Sequence, residues 1–210
     1  MPSHILLSAS ALLLGIPGMS MSSSRIINGL WLVFALYWLV SALKRKRTKE
    51  RESFGHRLLY VIPLALTITI LFRDNGGLRH TWLAVRFVPD TSAMQTLGVL
   101  LTAAGVFIAI WARYHLGANW SGTVTLKEGH ELIRTGPYRS IRHPIYTGIL
   151  IALLGTAIAI GEVRALIGVV IAWGSFYIKA TREESLLVKE FGSNFVEHQH
   201  RTGMFLPRFS

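Results

Sequence analysis

Long apolar runs alternate with short polar segments along this chain, and the apolar runs suit membrane helices. Five runs reach or approach the roughly 17–25 residues that cross the hydrocarbon core of a bilayer. They are Ile26–Leu43, Leu58–Phe72, Ala93–Ala112, Ile145–Ile160 and Val163–Ile178. Pro63 lies within the second run and predicts a kink there. The pattern predicts an all-α integral membrane protein with about five transmembrane helices.

A further apolar segment, Ile5–Met19, precedes these runs. Glycines and a proline interrupt it and no basic cluster comes before it, so three interpretations stay open: a half-span, an interfacial helix or a poor signal peptide. We therefore divide the chain into an N-terminal extension or half-span (1–25), N-terminal transmembrane helices (26–112) and a C-terminal core with the last two transmembrane helices (113–210).

The composition favours a membrane location. Of the 210 residues, 51% are hydrophobic and only 16% are charged, below the roughly 25% of soluble domains. Lys and Arg outnumber Asp and Glu by 22 to 11, but these basic residues lie between apolar runs and not over a polar surface, which argues against a nucleic-acid-binding protein. The chain has no cysteine, which excludes disulfides, thiolate metal sites and cysteine nucleophiles.

The distribution of charge predicts how the helices are oriented. With five spans, one side receives Lys44–Arg57, Arg113–His143 and Lys179–Ser210, which hold seven, five and five Lys or Arg residues. The segment Arg73–Asp90 on the other side holds three. The positive-inside rule makes the richer side cytoplasmic. We therefore expect the C-terminus and both polar segments of the C-terminal core in the cytoplasm.

Small residues form a stripe on each of the last two predicted helices. The first stripe is Gly148, Ala152, Gly155 and Ala159, and the second is Ala165, Gly168, Ala172 and Ser175. Such stripes allow close backbone approach in lipid. We expect these two helices to pack on each other, with Lys179 emerging at their contact.

The connector before the last helix pair carries one group of polar residues. Pro144 suits the first turn of a helix, and the free N–H groups and positive dipole end there favour a carboxylate. Arg142, His143, Tyr138 and Tyr146 surround this point. Taken singly, each has an alternative interpretation as an interfacial anchor.

A second polar group follows the last span. Glu183 and Glu184 are costly so close to lipid unless they have partners, and Lys179 lies one helical turn before Glu183. The alternative is a solvated helix end with a weak ion pair. Together the two groups predict a cytoplasmic site for a zwitterionic ligand, built from the connector and a C-terminal amphipathic helix, but they do not specify a reaction.

Other chemistries have little support in the sequence. His198 and His200 lie two apart on a predicted helix and point in different directions, and His115, His130 and His143 lack the spacing of metal ligands, so we expect no metal. There is no GxSxG, HExxH or phosphate-binding glycine loop.

One composite motif resembles a known family. The segment LIRTGPYRSIRHPIYTG, then two spans, TREE, LVKEFGSNFVEH and a proline near the end together resemble the isoprenylcysteine carboxyl methyltransferase family, whose membrane group includes the phospholipid N-methyltransferases. The resemblance covers Leu126–Pro207 and is weak before it. It implies methyl transfer from S-adenosyl-L-methionine to a lipophilic acceptor, with an isoprenylcysteine-like carboxylate favoured. The cofactor enters from the cytoplasm and the acceptor from membrane lipid.

The resemblance also implies roles for individual residues. Those implied to bind the cofactor are His130, Glu131, Leu132, Ile133, Tyr138, His143, Pro144, Ile145, Tyr146 and Glu183. Lys179 takes the place of an arginine that contacts the substrate carboxylate in the eukaryotic enzymes; lysine neutralises a carboxylate but lacks the bidentate fork. Arg142 and Glu184 are further candidates for substrate contact, and Glu184 or His143 is the candidate base for an amine acceptor.

Three alternatives stay open at this point. The chain is a phospholipid or other amine N-methyltransferase, an NADPH-dependent membrane reductase with a similar C-terminal layout, or a non-enzymatic membrane protein that has kept the fold. The identity of the acceptor and the oligomeric state are not encoded in any pattern we recognise.

Overall fold

The computed structural model describes residues 16, 19–43, 48–51, 53–73, 76–78, 80–120, 125–127 and 131–208. Apart from Ile16 and Met19, the ambiguous segment Ile5–Met19 lies outside these residues. The described α-helices are α1 (Met21–Ser41), α2 (Phe54–Phe72), α3 (Ser92–Leu116), α4 (Pro144–Ile160), α5 (Val163–Phe191) and α6 (Ser193–Arg201). Short 3-10 turns occupy Gly76–Leu78, Trp82–Ala84, Gly117–Asn119 and Gly136–Arg139.

The five predicted apolar helices are all present. In the described part of the chain, α1, α2, α3 and α5 are long and apolar enough to cross a membrane, whereas α4 is a shorter apolar helix of 17 residues. Large apolar side chains such as Leu39, Phe107 and Val170 are more than half exposed. Because soluble proteins rarely expose so much contiguous apolar surface, these faces contact lipid. The protein is an all-α integral membrane protein, as predicted.

The small-residue stripe of α4 packs on α3, not on α5. Gly105 on α3 faces Gly148 and Ala152 so closely that a Cβ at Gly105 would overlap the α4 backbone, and Gly98 meets Gly155 in the same way. The predicted contact between the two stripes is therefore wrong for α4. The reason is that α3 carries its own matching glycines, which allow the closest backbone approach in a medium where packing drives association.

The stripe of α5 packs on α2. The Thr67 hydroxyl donates to the carbonyl of Gly168 at 3.1 Å, and the Ser175 hydroxyl donates to the carbonyl of Tyr60 at 2.7 Å. Thr67 also donates to the carbonyl of Pro63 at 3.1 Å. These hydroxyls satisfy backbone carbonyls within the apolar layer, where unpaired polar groups are costly.

A short antiparallel ribbon was not predicted. Strand β1 (Thr48–Arg51) pairs with β2 (Thr125–Lys127), so the basic segment after α1 is tied to the connector after α3. Neither strand has the alternating apolar pattern by which strands are identified. The ribbon adds a small β element to an otherwise helical fold.

The turn between α4 and α5 closes the end of the molecule away from the site. Gly161 adopts a positive φ of 76°, a conformation that glycine adopts readily. Its carbonyl accepts from the N–H of Phe87 at 2.9 Å. Buried Arg164 donates to Glu162 at 2.5 Å and to the carbonyl of Ile70. The last two predicted runs, Ile145–Ile160 and Val163–Ile178, are thus joined by a tight turn at Gly161 and Glu162.

Beyond the predicted end of the last span at Ile178, α5 continues without a break to Phe191. Gly192, with φ 53°, then separates it from α6. This extension carries Glu183 and Glu184 back toward the start of α4, which determines the geometry of the site.

Candidate functional site

The candidate site lies where three elements meet: the start of α4, the extension of α5, and the chain from α6 to the C-terminal segment 202–208. Pro144 is the first residue of α4 and His143 is its N-cap, as predicted from the preference of proline for the first turn. The side chains of the two polar groups found in the sequence face each other here.

Glu183 joins the two halves of the composite motif. Its Oε1 accepts a hydrogen bond from the Tyr146 hydroxyl at 2.7 Å, and its Oε2 lies 3.5 Å from His143 Nδ1. The carboxylate side chain stays 23% exposed, so it can accept a further hydrogen bond. A carboxylate held this way favours an ammonium or other cationic group.

Glu184 is the centre of a second, more enclosed group. Its Oε1 accepts from Arg142 Nε at 2.7 Å and lies 3.1 Å from His143 Nε2, while its Oε2 accepts from Gln199 Nε2 at 2.8 Å. Arg142 also donates to the carbonyls of Gln199 and Thr202. The carboxylate therefore links the connector, α5 and the chain after α6.

His143 lies between the two carboxylates. Burial by itself lowers the pKa of His143, but the hydrogen bonds and charges of Glu183 and Glu184 outweigh this effect and raise the pKa above its usual value. Its ring stacks on Tyr146 with centroids 5.4 Å apart and an interplanar angle of 5°. An imidazolium that donates to both carboxylates fixes their relative positions.

Lys179 is a buried cation beside this network. Its Nζ lies 5.3 Å from the ring centroids of both Tyr60 and Tyr146, a distance at which cation–π attraction operates. The side chain is 7% exposed. Tyr146 in turn stacks on Phe176 at 4.8 Å, so aromatic rings surround the ammonium one helical turn before Glu183.

Tyr138 lies in the 3-10 turn before α4 and is buried. Burial raises the pKa of Tyr138, and the negative charge of Glu183 raises it further, so its phenol is neutral at physiological pH. This electrostatic effect indicates that Tyr138 and Glu183 share one environment.

The C-terminal segment 202–208 passes across the start of α4. The N–H groups of Arg142 and His143 donate to the carbonyls of Gly203 and Met204 at 2.8 and 3.1 Å. The Thr147 hydroxyl donates to the carbonyl of Phe205 at 2.7 Å. This segment covers the site from one side.

The structure brings most of the predicted residues together and leaves others apart. Lys179, Arg142, Glu184, His143, Tyr146 and Glu183 form one contiguous network, and Pro144, Ile145 and Tyr138 are buried beside it. Leu132 and Ile133 are half-buried, whereas Glu131 is exposed. His130 lies outside the described residues. Their roles stay predictions.

Three contributors to the network were missed in the sequence. Gln199 binds Glu184, the Phe205 ring meets that of His143 with centroids 6.2 Å apart, and Tyr60 contributes a face to Lys179. Single polar or aromatic residues without regular spacing to a motif give no signal in the sequence, so only their positions in space identify them.

The histidines of α6 point in different directions, as their spacing predicted, because His198 is buried and His200 is exposed. No group of three His, Asp or Glu side chains suited to a metal ion occurs among the described residues.

Comparison with known families gives a match to part of this chain. Residues 93–194 match the family described as phospholipid methyltransferase. The predicted family resemblance is confirmed. The matched range contains α3 except its first residue, Ser92, all of α4 and α5, and every charged group of the Glu183 and Glu184 network.

Curated relatives agree with this match. The chain is 26% identical over 181 residues to the protein-S-isoprenylcysteine O-methyltransferase of Xenopus laevis, covering 81% of this chain and 58% of that protein. It is 28% identical over 120 residues to the same-named protein of Saccharomyces cerevisiae, covering 56% and 50%. It is also 24% identical over 156 residues to the nickel-cobalt-cadmium resistance protein NccN of Alcaligenes xylosoxydans xylosoxydans, covering 74% and 66%. The chain spans between half and two thirds of the length of these relatives.

A solved structure shares the fold. It is that of the eukaryotic intramembrane Ras methyltransferase, an isoprenylcysteine carboxyl methyltransferase, with a TM-score of 0.59 and 18% identity, covering 90% of this chain and 67% of that one. At this level of identity the likeness concerns the fold.

Proposed function

We propose that this protein is a membrane methyltransferase that uses S-adenosyl-L-methionine to methylate a lipophilic acceptor carboxylate of the isoprenylcysteine type. The observation that carries the proposal is the 2.7 Å hydrogen bond from Tyr146 to Glu183. It joins the RHPIY and TREE elements, which the family resemblance assigns to one cofactor site although 37 residues separate them.

The residues present suit such a cofactor. S-adenosylmethionine combines an ammonium, a sulfonium and a purine and supplies a methyl group on a good leaving group. Glu183 has the exposed carboxylate edge to accept from the ammonium. Buried Tyr138 and Tyr146 offer aromatic faces, which attract cations and exclude water. Alignment of the reacting groups and exclusion of water account for much of the rate in such transfers.

Lys179 is the residue we assign to the acceptor carboxylate. Its ammonium is buried beside aromatic rings, where a charge interaction is stronger than in water. Methylation of a carboxylate releases no proton, so this reaction needs no base. Arg142 and Glu184 bond each other and the chain after α6, and we therefore assign them a positioning role.

The site lies on the cytoplasmic side in this proposal. The support is the positive-inside distribution of charge together with the placement of the site at the end of the bundle opposite the Gly161 turn. A reporter fused after Ser210 tests the sidedness, since a signal from the opposite compartment would contradict it.

The activity is tested with purified protein, labelled S-adenosylmethionine and an S-farnesylcysteine derivative with a free carboxylate. Methyl esters release labelled methanol in base, whereas N-methyl products keep their label. The proposal is supported if wild type gives base-labile label and Lys179→Met gives less of it. Base-stable label would favour amine methylation, with Glu184, or His143 in its neutral form, as base. Saturable NADPH binding without binding of S-adenosylhomocysteine would contradict methyl transfer altogether.

A further inference from the structure

A cavity lies next to the C-terminal segment 202–208, outside the network of Glu183 and Glu184. It has a volume of about 580 Å³. Its lining residues are Arg134, Arg139, Ser140, Glu197, His198, Arg201 and Arg208. None of these seven residues has a role in the proposed methyl transfer. They come from α6, from the Gly136–Arg139 turn and the chain on both sides of it, and from the C-terminal segment 202–208.

The lining is strongly basic. Arg201 pairs with Glu197 at 2.7 Å, and Arg134 donates to the carbonyl of Asn194 at 2.5 Å. The guanidinium groups of Arg139 and Arg208 have no ion pair or side-chain hydrogen bond with any residue that the structure describes. Two guanidinium groups facing a cavity without a matching carboxylate favour a bound anion.

A buried histidine gives a second, independent indication of a ligand. His198 is only 6% exposed yet lines this cavity, and within the described residues its ring nitrogens have no hydrogen-bond partner. Burial, with the charges of Arg134 and Arg142, lowers the pKa of His198. A neutral ring offers one donor and one acceptor, and neither ring nitrogen is among the described side-chain atoms that are fully buried without a partner, so both are open to a molecule in the cavity.

The geometry points to a binding site in this cavity for a phosphate monoester, with Arg139 and Arg208 as its charge partners and His198 as a hydrogen-bond partner. Guanidinium groups match phosphate oxygens through paired N–H donors, which is why we name phosphate and not a simple halide. The site is separate from the proposed methyl-transfer site. The phosphate belongs either to a lipid headgroup or to a soluble molecule.

The test uses the full chain in two arms. In detergent, calorimetry measures the binding of glycerol 3-phosphate, with glycerol as the uncharged control. In nanodiscs of phosphatidylcholine with or without phosphatidic acid, native mass spectrometry measures retained phosphatidic acid. We expect saturable binding in at least one arm. Binding in the first arm without retention in the second identifies a soluble phosphate, and retention of phosphatidic acid in the second identifies a headgroup.

Variants connect the binding to the cavity. Arg139→Gln and Arg208→Gln should each weaken it by about tenfold or more, since hydrogen bonds to charged groups are the strong ones. Arg25→Gln removes an exposed arginine at the start of α1 and should have no effect. Arg208 lies in an exposed segment, so Arg208→Gln should fold even if Arg139→Gln does not. Gel filtration shows whether each variant is folded and does not depend on methyl-transfer activity. Three results would overturn the proposal. They are no binding in either arm, binding by both variants as tight as that of wild type, and displacement of the bound phosphate by S-adenosylhomocysteine.

Discussion

The Tyr146 hydroxyl donates to Glu183 Oε1 at 2.7 Å, and the ring that carries it stacks on His143. One side chain thus orients the carboxylate on α5 and also forms part of the aromatic wall at the start of α4. The two functions can be separated, because phenylalanine keeps the ring and removes the hydroxyl.

Tyr146→Phe should therefore weaken the binding of S-adenosylhomocysteine while the protein stays folded. This hydrogen bond lies within the protein, so its loss affects the ligand through the orientation of the Glu183 carboxylate. We expect Kd to rise by roughly tenfold, which is about 1.4 kcal/mol. Calorimetry on purified protein measures it. The control is Tyr177→Phe, since Tyr177 is 47% exposed on α5. Equal affinity of Tyr146→Phe and wild type would contradict the role given to Glu183.

Removing the Glu183 carboxylate itself gives a second comparison. Glu183→Ala should weaken S-adenosylhomocysteine binding more than Tyr146→Phe does, because the charge is lost as well as its orientation. Tyr138→Ala should also weaken it. Glu190→Ala changes an exposed residue of the same helix and should leave the affinity unchanged. A similar loss in Glu190→Ala and Glu183→Ala would indicate a general effect on α5.

The sequence was sufficient for the five apolar helices and for the two polar groups that face each other at the start of α4, but not for the other contributors to that network or for the partners of each helix. Apolar length and charge identify α4 and α5 directly, whereas a stripe such as Gly148 and Gly155 says only that some backbone comes close. Gly98 and Gly105 on α3 are equally good partners, and the choice between α3 and α5 depends on three-dimensional packing. Likewise, Gln199 reaches the network only because the chain turns back after Gly192.

Arg142 should contribute to stability through the C-terminal segment. Its side chain and that of Glu184 are 13% and 9% exposed, and breaking a pair this enclosed costs about 3 kcal/mol or more. Arg142→Gln should lower the Tm in detergent and speed amide exchange in residues 202–208. Arg201→Gln breaks an ion pair that is 71% and 51% exposed and should change stability by less than about 1 kcal/mol. Unchanged exchange in Arg142→Gln would show that other contacts hold the segment.

His143 makes part of the stability depend on pH. Its pKa in the folded protein is raised above the roughly 6.5 of an unperturbed histidine, so its protonated form is the stabilising one. The contribution is fully present below about pH 6.5 and is lost as the pH rises through the folded pKa. The difference in Tm between wild type and His143→Gln should shrink from pH 6 to pH 9. Glu183 and Glu184, which face the ring, ordinarily titrate near pH 4, below this range. His198 is present in both proteins, so its titration cancels in the difference. A difference that grows with pH would contradict the assignment.

Two glycine-to-alanine changes should have opposite signs. At Gly105 a Cβ would overlap the backbone of Gly148 and Ala152 on α4, and backbone atoms cannot move aside as a flexible side chain can. Gly105→Ala should therefore separate α3 from α4 and cost about 1–3 kcal/mol. At Gly174 on α5 nothing lies within 4 Å of the same Cβ, so alanine gains up to about 1 kcal/mol of helix propensity and should raise the Tm. Thermal unfolding of both variants under one set of conditions measures this. If Gly105→Ala is as stable as wild type, the close approach of α3 and α4 does not hold the start of α4 in place. The positions of His143 and Tyr146 would then depend on other contacts.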